Sequence, residues 1–334
     1  QGHTSFLDHR CKDSKQAPRG TRIMRNTQLK KFTFATATCF VLFTACGSDI
    51  DLPADPRSEI LVSAEWLAEN LDDPEIVILH VGDSTEYAAE HIPGASYITR
   101  DQVSRPRSDD PDDLVLELPE PNDLESLLES YGISDASTIV VYWASEWVSP
   151  ATRVVLTLDW AGLGDQTVLL DGGIEAWKRA GHTVTDSVPN ASQGTLTISP
   201  RPELIVDIET VSEYSDQPGY ALVDARSYEY FSGAREGRVK TGHIPGAGSA
   251  HWMEMVDDSL MFKSTSELQR VFSDAGVEPG DTVIGYCHIG QYATVALFAA
   301  RTLGHEVRLY DGSFQDWAAR DLPVEAEDST ADSR

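Results

Sequence analysis

The sequence predicts an α/β protein made of two related domains, each a mostly parallel sheet with helices on both faces. Three observations carry that reading. A five-residue turn occurs twice, as His91-Ile92-Pro93-Gly94-Ala95 and as His243-Ile244-Pro245-Gly246-Ala247. A second motif recurs after it, running from Asp171-Gly172-Gly173 to Trp177 and from Asp311-Gly312-Ser313 to Trp317. Each copy spans about 125 residues, far more than a solenoid repeat, so the repeated unit is a whole domain. Between the motifs, short apolar runs alternate with segments of helical period, the pattern of a βα fold.

Taken in order, residues 1–23 lack periodicity and read as a leader outside the fold, and residues 24–45 read as a signal segment. The latter opens at Met24 with Arg25, Lys30 and Lys31 and continues into the charge-free apolar run 32–45. That run is shorter than the roughly 20 residues needed to span a bilayer. It ends at Phe43-Thr44-Ala45-Cys46, which resembles the lipobox of bacterial lipoproteins, with Phe43 in place of the usual leucine. An ordinary secretory signal cleaved nearby is the alternative. Either way the chain is expected to be exported to the periplasm or cell envelope, and on the first reading it is lipid-anchored at Cys46.

Residues 46–57 follow as a linker, and the first domain is expected over 58–186. Its strands fall at 76–81, 138–143 and 168–170, and its helices at 124–131, 152–161 and through Trp177. The Pro-bearing polar stretch 187–203 reads as an interdomain linker. The second domain, 204–326, has strands at 220–224, 282–287 and 307–310 and helices at 266–275, 293–303 and through Trp317. Residues 327–334 form an acidic tail.

The formal net charge of −28 provides no basic stripe for a polyanion, which excludes nucleic acid as a partner. Beyond residue 45 only Lys178, Lys240 and Lys263 remain as lysines. Such an acidic, lysine-poor surface suits high salt, and equally suits an ordinary soluble exported protein. Of four cysteines, Cys11 lies in the leader, Cys39 in the signal and Cys46 at its end, leaving Cys287 alone in the folded domains. A lone thiol in an oxidising compartment is either buried and inert or in use. Cys287 ends an apolar strand and precedes a glycine-containing loop and an apolar helix, where backbone N–H groups converge on an anion.

The paired turns, Asp224-Ala225-Arg226, the strand ending at Cys287 and Tyr310-Asp311-Gly312-Ser313-Phe314 to Trp317 resemble the rhodanese family of sulfurtransferases. The resemblance covers residues 58–325 and implies two rhodanese-like domains. It implies Cys287 as nucleophile, enclosed by the six-residue loop Cys287, His288, Ile289, Gly290, Gln291 and Tyr292. Sulfur would pass from thiosulfate to cyanide or a thiol through a Cys287 persulfide, with sulfite released and no cofactor required. The alternatives are 3-mercaptopyruvate as donor, or a carrier that delivers persulfide sulfur to a thiol protein without turnover.

Loop length argues against phosphatase chemistry, because the sixth residue after Cys287 is Ala293 and not the arginine that clamps an oxyanion. In the first copy Trp143 occupies the cysteine position, and its loop, running to Pro150, reads as longer. That domain is expected to wall the cleft of a single active site. Family members often carry a docking arginine after the first Gly-Gly-hydrophobic turn, where this chain has Glu175. Arg226 and Trp252 are the substrate-binding candidates, with Arg153, Arg235, Arg238 and Lys240 as further cations. His91 and His243 lack the neighbouring ligands of a zinc site, so no metal is expected.

Overall fold

The computed structural model describes residues 55–110, 113–144, 147–215, 217–235 and 240–327, which belong to one compact unit. The leader, the signal segment, Cys11, Cys39, Cys46 and Arg238 lie outside the described residues, as does the tail beyond Glu327. Among the described residues no helix is long and apolar enough to cross a membrane.

Two five-stranded sheets are present. The first contains β1 (Leu61–Val62), β2 (Ile76–Val81), β3 (Ala95–Ile98), β4 (Thr138–Trp143) and β5 (Thr167–Leu170). The second contains β6 (Ile205–Val206), β7 (Tyr220–Asp224), β8 (Gly248–Ser249), β9 (Thr282–Tyr286) and β10 (Val307–Tyr310). Their orders, β1-β5-β4-β2-β3 and β6-β10-β9-β7-β8, are the same topology written twice, and every pairing is parallel. Central strands covered on both faces must be apolar throughout, and Ile139, Val140, Val141 and Tyr142 of β4 are indeed fully buried.

The repeated histidine turns tie each sheet together. The N–H of Ile92 donates to the Tyr142 hydroxyl at 3.1 Å, and that of Ile244 to the Tyr286 hydroxyl at 3.0 Å. His91 Nδ1 faces the Tyr87 carbonyl and His243 Nδ1 the Phe231 carbonyl, at 2.7 and 2.8 Å. A carbonyl can only accept, so in both rings this nitrogen carries the proton.

The two domains join through the helices Ser149–Leu158 and Ala293–Thr302. Both are buried along nearly their whole length, so apolar residues occur around the whole helix and buried polar ones, Arg153 among them, have partners across the domain boundary. Ala293, Ala296, Ala299 and Ala300 leave room for close approach, and the Thr152 and Thr294 hydroxyls meet at 2.7 Å. Asp159 of the first domain accepts from Arg201 and from Arg301 of the second, both at 2.7 Å. The linker is pinned rather than loose: Gly194 N–H donates to the Glu129 carbonyl at 2.8 Å, and Leu196 is buried.

One expectation is corrected here. The register aligns Tyr142 with Tyr286 and therefore Trp143 with Cys287, yet the helices that follow start at Ser149 and Ala293. Both loops hold six residues, so the first is not longer. Pro150 marks no loop residue; it sits in the first helical turn, where its missing N–H has no intrahelical partner to lose.

Candidate active site

Cys287 is the first residue beyond β9 and has no exposed surface. Its N–H donates to Ser313 Oγ at 3.2 Å, while its carbonyl accepts the Phe314 N–H at 3.0 Å. The His288 carbonyl accepts the Gln315 N–H at 3.1 Å, so the start of the loop is stitched to the turn that follows β10. Ser313 has φ +52° and donates its hydroxyl proton to the Tyr310 carbonyl at 2.9 Å, which leaves its oxygen free to accept from Cys287.

The first copy shows why these two residues change together. There Gly173, with φ +55°, stands where the second copy has Ser313. A Cβ at Gly173 would lie 2.4 Å from the Trp143 carbonyl oxygen and 2.9 Å from its indole. Trp143 thus takes the space that the thiol and the serine side chain occupy in the second copy. At the neighbouring positions in register, His80 and Gly82 replace Asp224 and Arg226. Burial holds the His80 imidazole down at a pKa of about 4, so the first copy has a neutral ring where the second has an ion pair.

After Cys287 the loop curls tightly. Gly290 has φ +79°, and a Cβ there would lie 2.8 Å from both the carbonyl oxygen and Oδ1 of Asp311, so glycine is required twice over. Among the described residues, the N–H groups of Ile289, Gly290, Gln291, Tyr292 and Ala293 have no protein acceptor. Five successive N–H groups without a protein acceptor, following directly on Cys287 and leading into the N-terminus of a ten-residue helix, are free to receive an anion. Such groups stabilise a thiolate and, once sulfur is added, a persulfide.

The first domain holds this loop from behind. Arg153, fully buried, reaches across to Asp311 with Nη1–Oδ1 at 2.5 Å and Nη2–Oδ2 at 3.2 Å, and Nη1 also donates to the Gly290 carbonyl at 3.3 Å. Its Nη2 additionally donates to the Leu116 carbonyl. Gln291 Nε2 donates to Ser149 Oγ at 2.9 Å, and Gln291 Oε1 accepts from Arg100. The rim is aromatic: Tyr292 stacks on Trp252 at 5.3 Å and lies 5.9 Å from Trp147, while His288 meets Tyr230 edge-on at 4.7 Å. Among the described residues no group of three or more His, Cys, Asp and Glu side chains is arranged to hold a metal ion.

Two of the sequence candidates need restating. Trp252 does lie against the loop, through Tyr292. Arg226 does not present itself to a donor: it is buried, grips Asp224 with Nη2–Oδ2 at 2.5 Å, donates to the Gly242 carbonyl at 2.7 Å and lies 3.9 Å over the Phe314 ring. Buried between that carboxylate, that carbonyl and the Phe314 ring, it braces the turn that carries Ser313. Arg153 is likewise buried and committed to Asp311 through both Nη atoms, while its Nε has no protein partner among the described residues, and Lys240 bonds the Leu322 carbonyl and Asp321. Glu175 pairs with Lys178 on its own helix at 2.7 Å. Sequence reasoning missed Arg100, because nothing local marks a residue whose partner lies 191 positions away.

Glu117 lies beside the Arg153–Asp311 pair, with its Oε1 buried and unpartnered. Burial chiefly, and then Asp311, push its carboxyl up to about 7 against the opposing pull of Arg153. The folded chain therefore keeps a proton that the unfolded chain releases near 4.5, so stability falls as pH rises between those values and the penalty is complete above 7. Glu117→Gln should match the parent at pH 4 and exceed its Tm by about 2–4 °C at pH 8, measured by calorimetry. Equal melting temperatures at pH 8 would contradict this reading.

Comparison with known proteins places these features in a family. The Rhodanese-like domain matches twice, over residues 63–180 and 207–320. A Haloferax volcanii protein provisionally named as a thiosulfate sulfurtransferase is 34% identical over 286 residues, covering 79% of this chain and 95% of its own. The 3-mercaptopyruvate sulfurtransferase of Escherichia coli K12 is 31% identical over 280 residues, covering 79% of this chain and 97% of its own. A Thermus thermophilus protein named as a sulfur carrier is 30% identical over 276 residues, covering 78% and 93%. The crystal structure of an E. coli 3-mercaptopyruvate sulfurtransferase superposes with a TM-score of 0.66 at 29% identity, covering 76% of this chain and 98% of that one.

Proposed function

Because this chain belongs to the rhodanese family of sulfurtransferases, we propose that it moves sulfane sulfur from thiosulfate to cyanide or a thiol through a persulfide on Cys287. The observation that carries this reading is the buried Cys287 thiol at the head of a loop in which, among the described residues, the N–H groups of residues 289–293 have no protein acceptor. The Cys287 thiolate attacks the outer sulfur of thiosulfate, the S–S bond breaks, and sulfite leaves with the bonding pair. The terminal sulfur of the resulting persulfide rests as an anion against the N–H groups of residues 289–293. An acceptor nucleophile then attacks that sulfur, and the Cys287 thiolate is the leaving group.

Two further readings have specific support. His288 is the one basic side chain in the loop, which suits 3-mercaptopyruvate as well as thiosulfate. The likeness to the Thermus protein supports delivery of persulfide sulfur to a protein thiol. Initial-rate kinetics with thiosulfate and cyanide, set against 3-mercaptopyruvate and a small thiol, separate the three. Parallel double-reciprocal lines with the highest kcat/KM for thiosulfate support the proposal. Preference for 3-mercaptopyruvate assigns the other donor, and labelling without turnover assigns the carrier.

The proposal extends to location: residues 24–48 support export and a lipid anchor at Cys46. Cys46→Ser should move the protein from the membrane pellet to the soluble fraction of lysed cells while leaving sulfur transfer unchanged. Retention in the pellet would argue against the anchor.

A further inference from the structure

The loop N–H groups answer one of the donor's two needs. They neutralise charge at the sulfur being transferred, but thiosulfate and 3-mercaptopyruvate each carry a second anionic group close to that sulfur. The usual cation for it is replaced by Glu175, and within the loop only His288 is basic. Arg153 and Arg226 are buried and each grips a carboxylate, Asp311 and Asp224, and Lys240 is tied to Leu322 and Asp321.

Arg100 differs from all of these. It lies in the turn after β3 of the first domain, and its Nη1 donates to Gln291 Oε1 in the loop. Its side chain is 37% exposed, so the guanidinium reaches the loop while still facing solvent. Its ion-pair partner is Asp101, at 3.3 Å through Nε, and that carboxylate is itself 75% exposed. A pair so open to water holds weakly and yields readily to an incoming anion. Gln291 is buried and fixed by Ser149, so the contact presets the guanidinium fork. Charge places it too: burial first, and then the Cys287 charge, push the Tyr292 hydroxyl up, while Arg100 pulls it down.

We propose that Arg100, supplied by the first domain, docks the anionic end of the sulfur donor, a sulfonate or carboxylate adjoining the transferable sulfur. The proposal rests on the sulfurtransferase reading of Cys287. It gives the first domain a part in substrate binding, although that domain's own cysteine position is filled by Trp143. Arg235 is the rival, because it lies 4.8 Å over the Tyr230 ring that meets His288 edge-on.

A test independent of turnover uses two methanethiosulfonates, one with a sulfonatoethyl tail and one with a neutral methyl group. Each transfers its alkylthio group to the Cys287 thiolate while methanesulfinate leaves, so the ratio of rates isolates the effect of the tail's charge. The parent protein should favour the anionic reagent. Arg100→Ala and Arg100→Gln should each lower that ratio about tenfold, Arg100→Lys should retain part of it, and Arg235→Ala should leave it unchanged. In steady state, Arg100→Ala should raise the KM for thiosulfate about tenfold with kcat held within about twofold. An unchanged ratio in both Arg100 variants, or an equal loss in Arg235→Ala, overturns the proposal. If the parent protein turns over no donor yet the ratio still falls, the dock stands and the sulfurtransferase reading of the site fails instead.

Discussion

Replacing Cys287 with serine should lower sulfur transfer from thiosulfate by at least about 1,000-fold and leave the fold intact. A hydroxyl has no accessible anion at neutral pH and is a poor nucleophile toward sulfur, so the N–H nest would have nothing to stabilise. Its effect on folding should be small, because the side chain keeps its volume within an unchanged backbone frame held by Ser313, Phe314 and Gln315. Cys287→Ala serves as the second variant, since it removes the buried hydroxyl as well. Both should show the parent far-UV circular dichroism and no release of sulfite. Residual turnover above that of the buffer in either variant would move the chemistry to another residue.

The second large effect is expected at Arg153. Arg153→Met would strand the Asp311 carboxylate in an environment where the pair is 0% and 5% exposed. Breaking a buried pair from one side costs about 3–5 kcal/mol, mostly through the charge left behind. Activity should fall as well, by about 10- to 100-fold, because the Gly290 carbonyl loses a donor and the loop N–H groups lose their aim. Arg153→Lys should recover part of both, since it restores the charge without the two-pronged contact. The double variant Arg153→Met with Asp311→Asn separates the two roles. Stability should return, because no carboxylate is stranded, while activity should stay low. Recovery of both together would show that Arg153 acts through stability alone.

The domain duplication and the identity of the nucleophile were legible in the chain because each leaves a local mark. Strands β2, β4, β7 and β10 fall where their apolar runs predict, since a strand covered on both faces reads as a near-continuous apolar run between polar flanks. The shorter strands Leu61–Val62, Ile205–Val206 and Gly248–Ser249 have two residues each and cannot display a period. Pro150 was misread as a loop residue because proline both ends loops and opens helices, and only the strand register decides between them. The alignment of Trp143 with Cys287 needed no structure. The reason the exchange is tolerated, a glycine in place of Ser313, follows only from the distance between two turns.

The sequence led to the expectation that the first domain walls the site, but not to the residues through which it reaches the loop. Arg153 and Asp311 stand 158 positions apart, and neither the helix nor the turn that carries them signals a partner. Arg226 illustrates the converse error, in which a cation next to a motif reads as a ligand-binding group until its surroundings show it buried against Asp224 and the Gly242 carbonyl. Interdomain contacts between charged residues depend on how two cores pack, which periodicity within either core does not encode.

Between the two half-reactions sulfur is expected to reside on one atom, Cys287 Sγ. Mass spectrometry of the intact chain after brief exposure to thiosulfate, followed by peptide mapping without reductant, tests it directly. The expected result is an added mass of about 32 Da on the peptide containing Cys287, discharged by cyanide and absent in Cys287→Ser. An unmodified Cys287 peptide in a preparation that is turning over thiosulfate would contradict it.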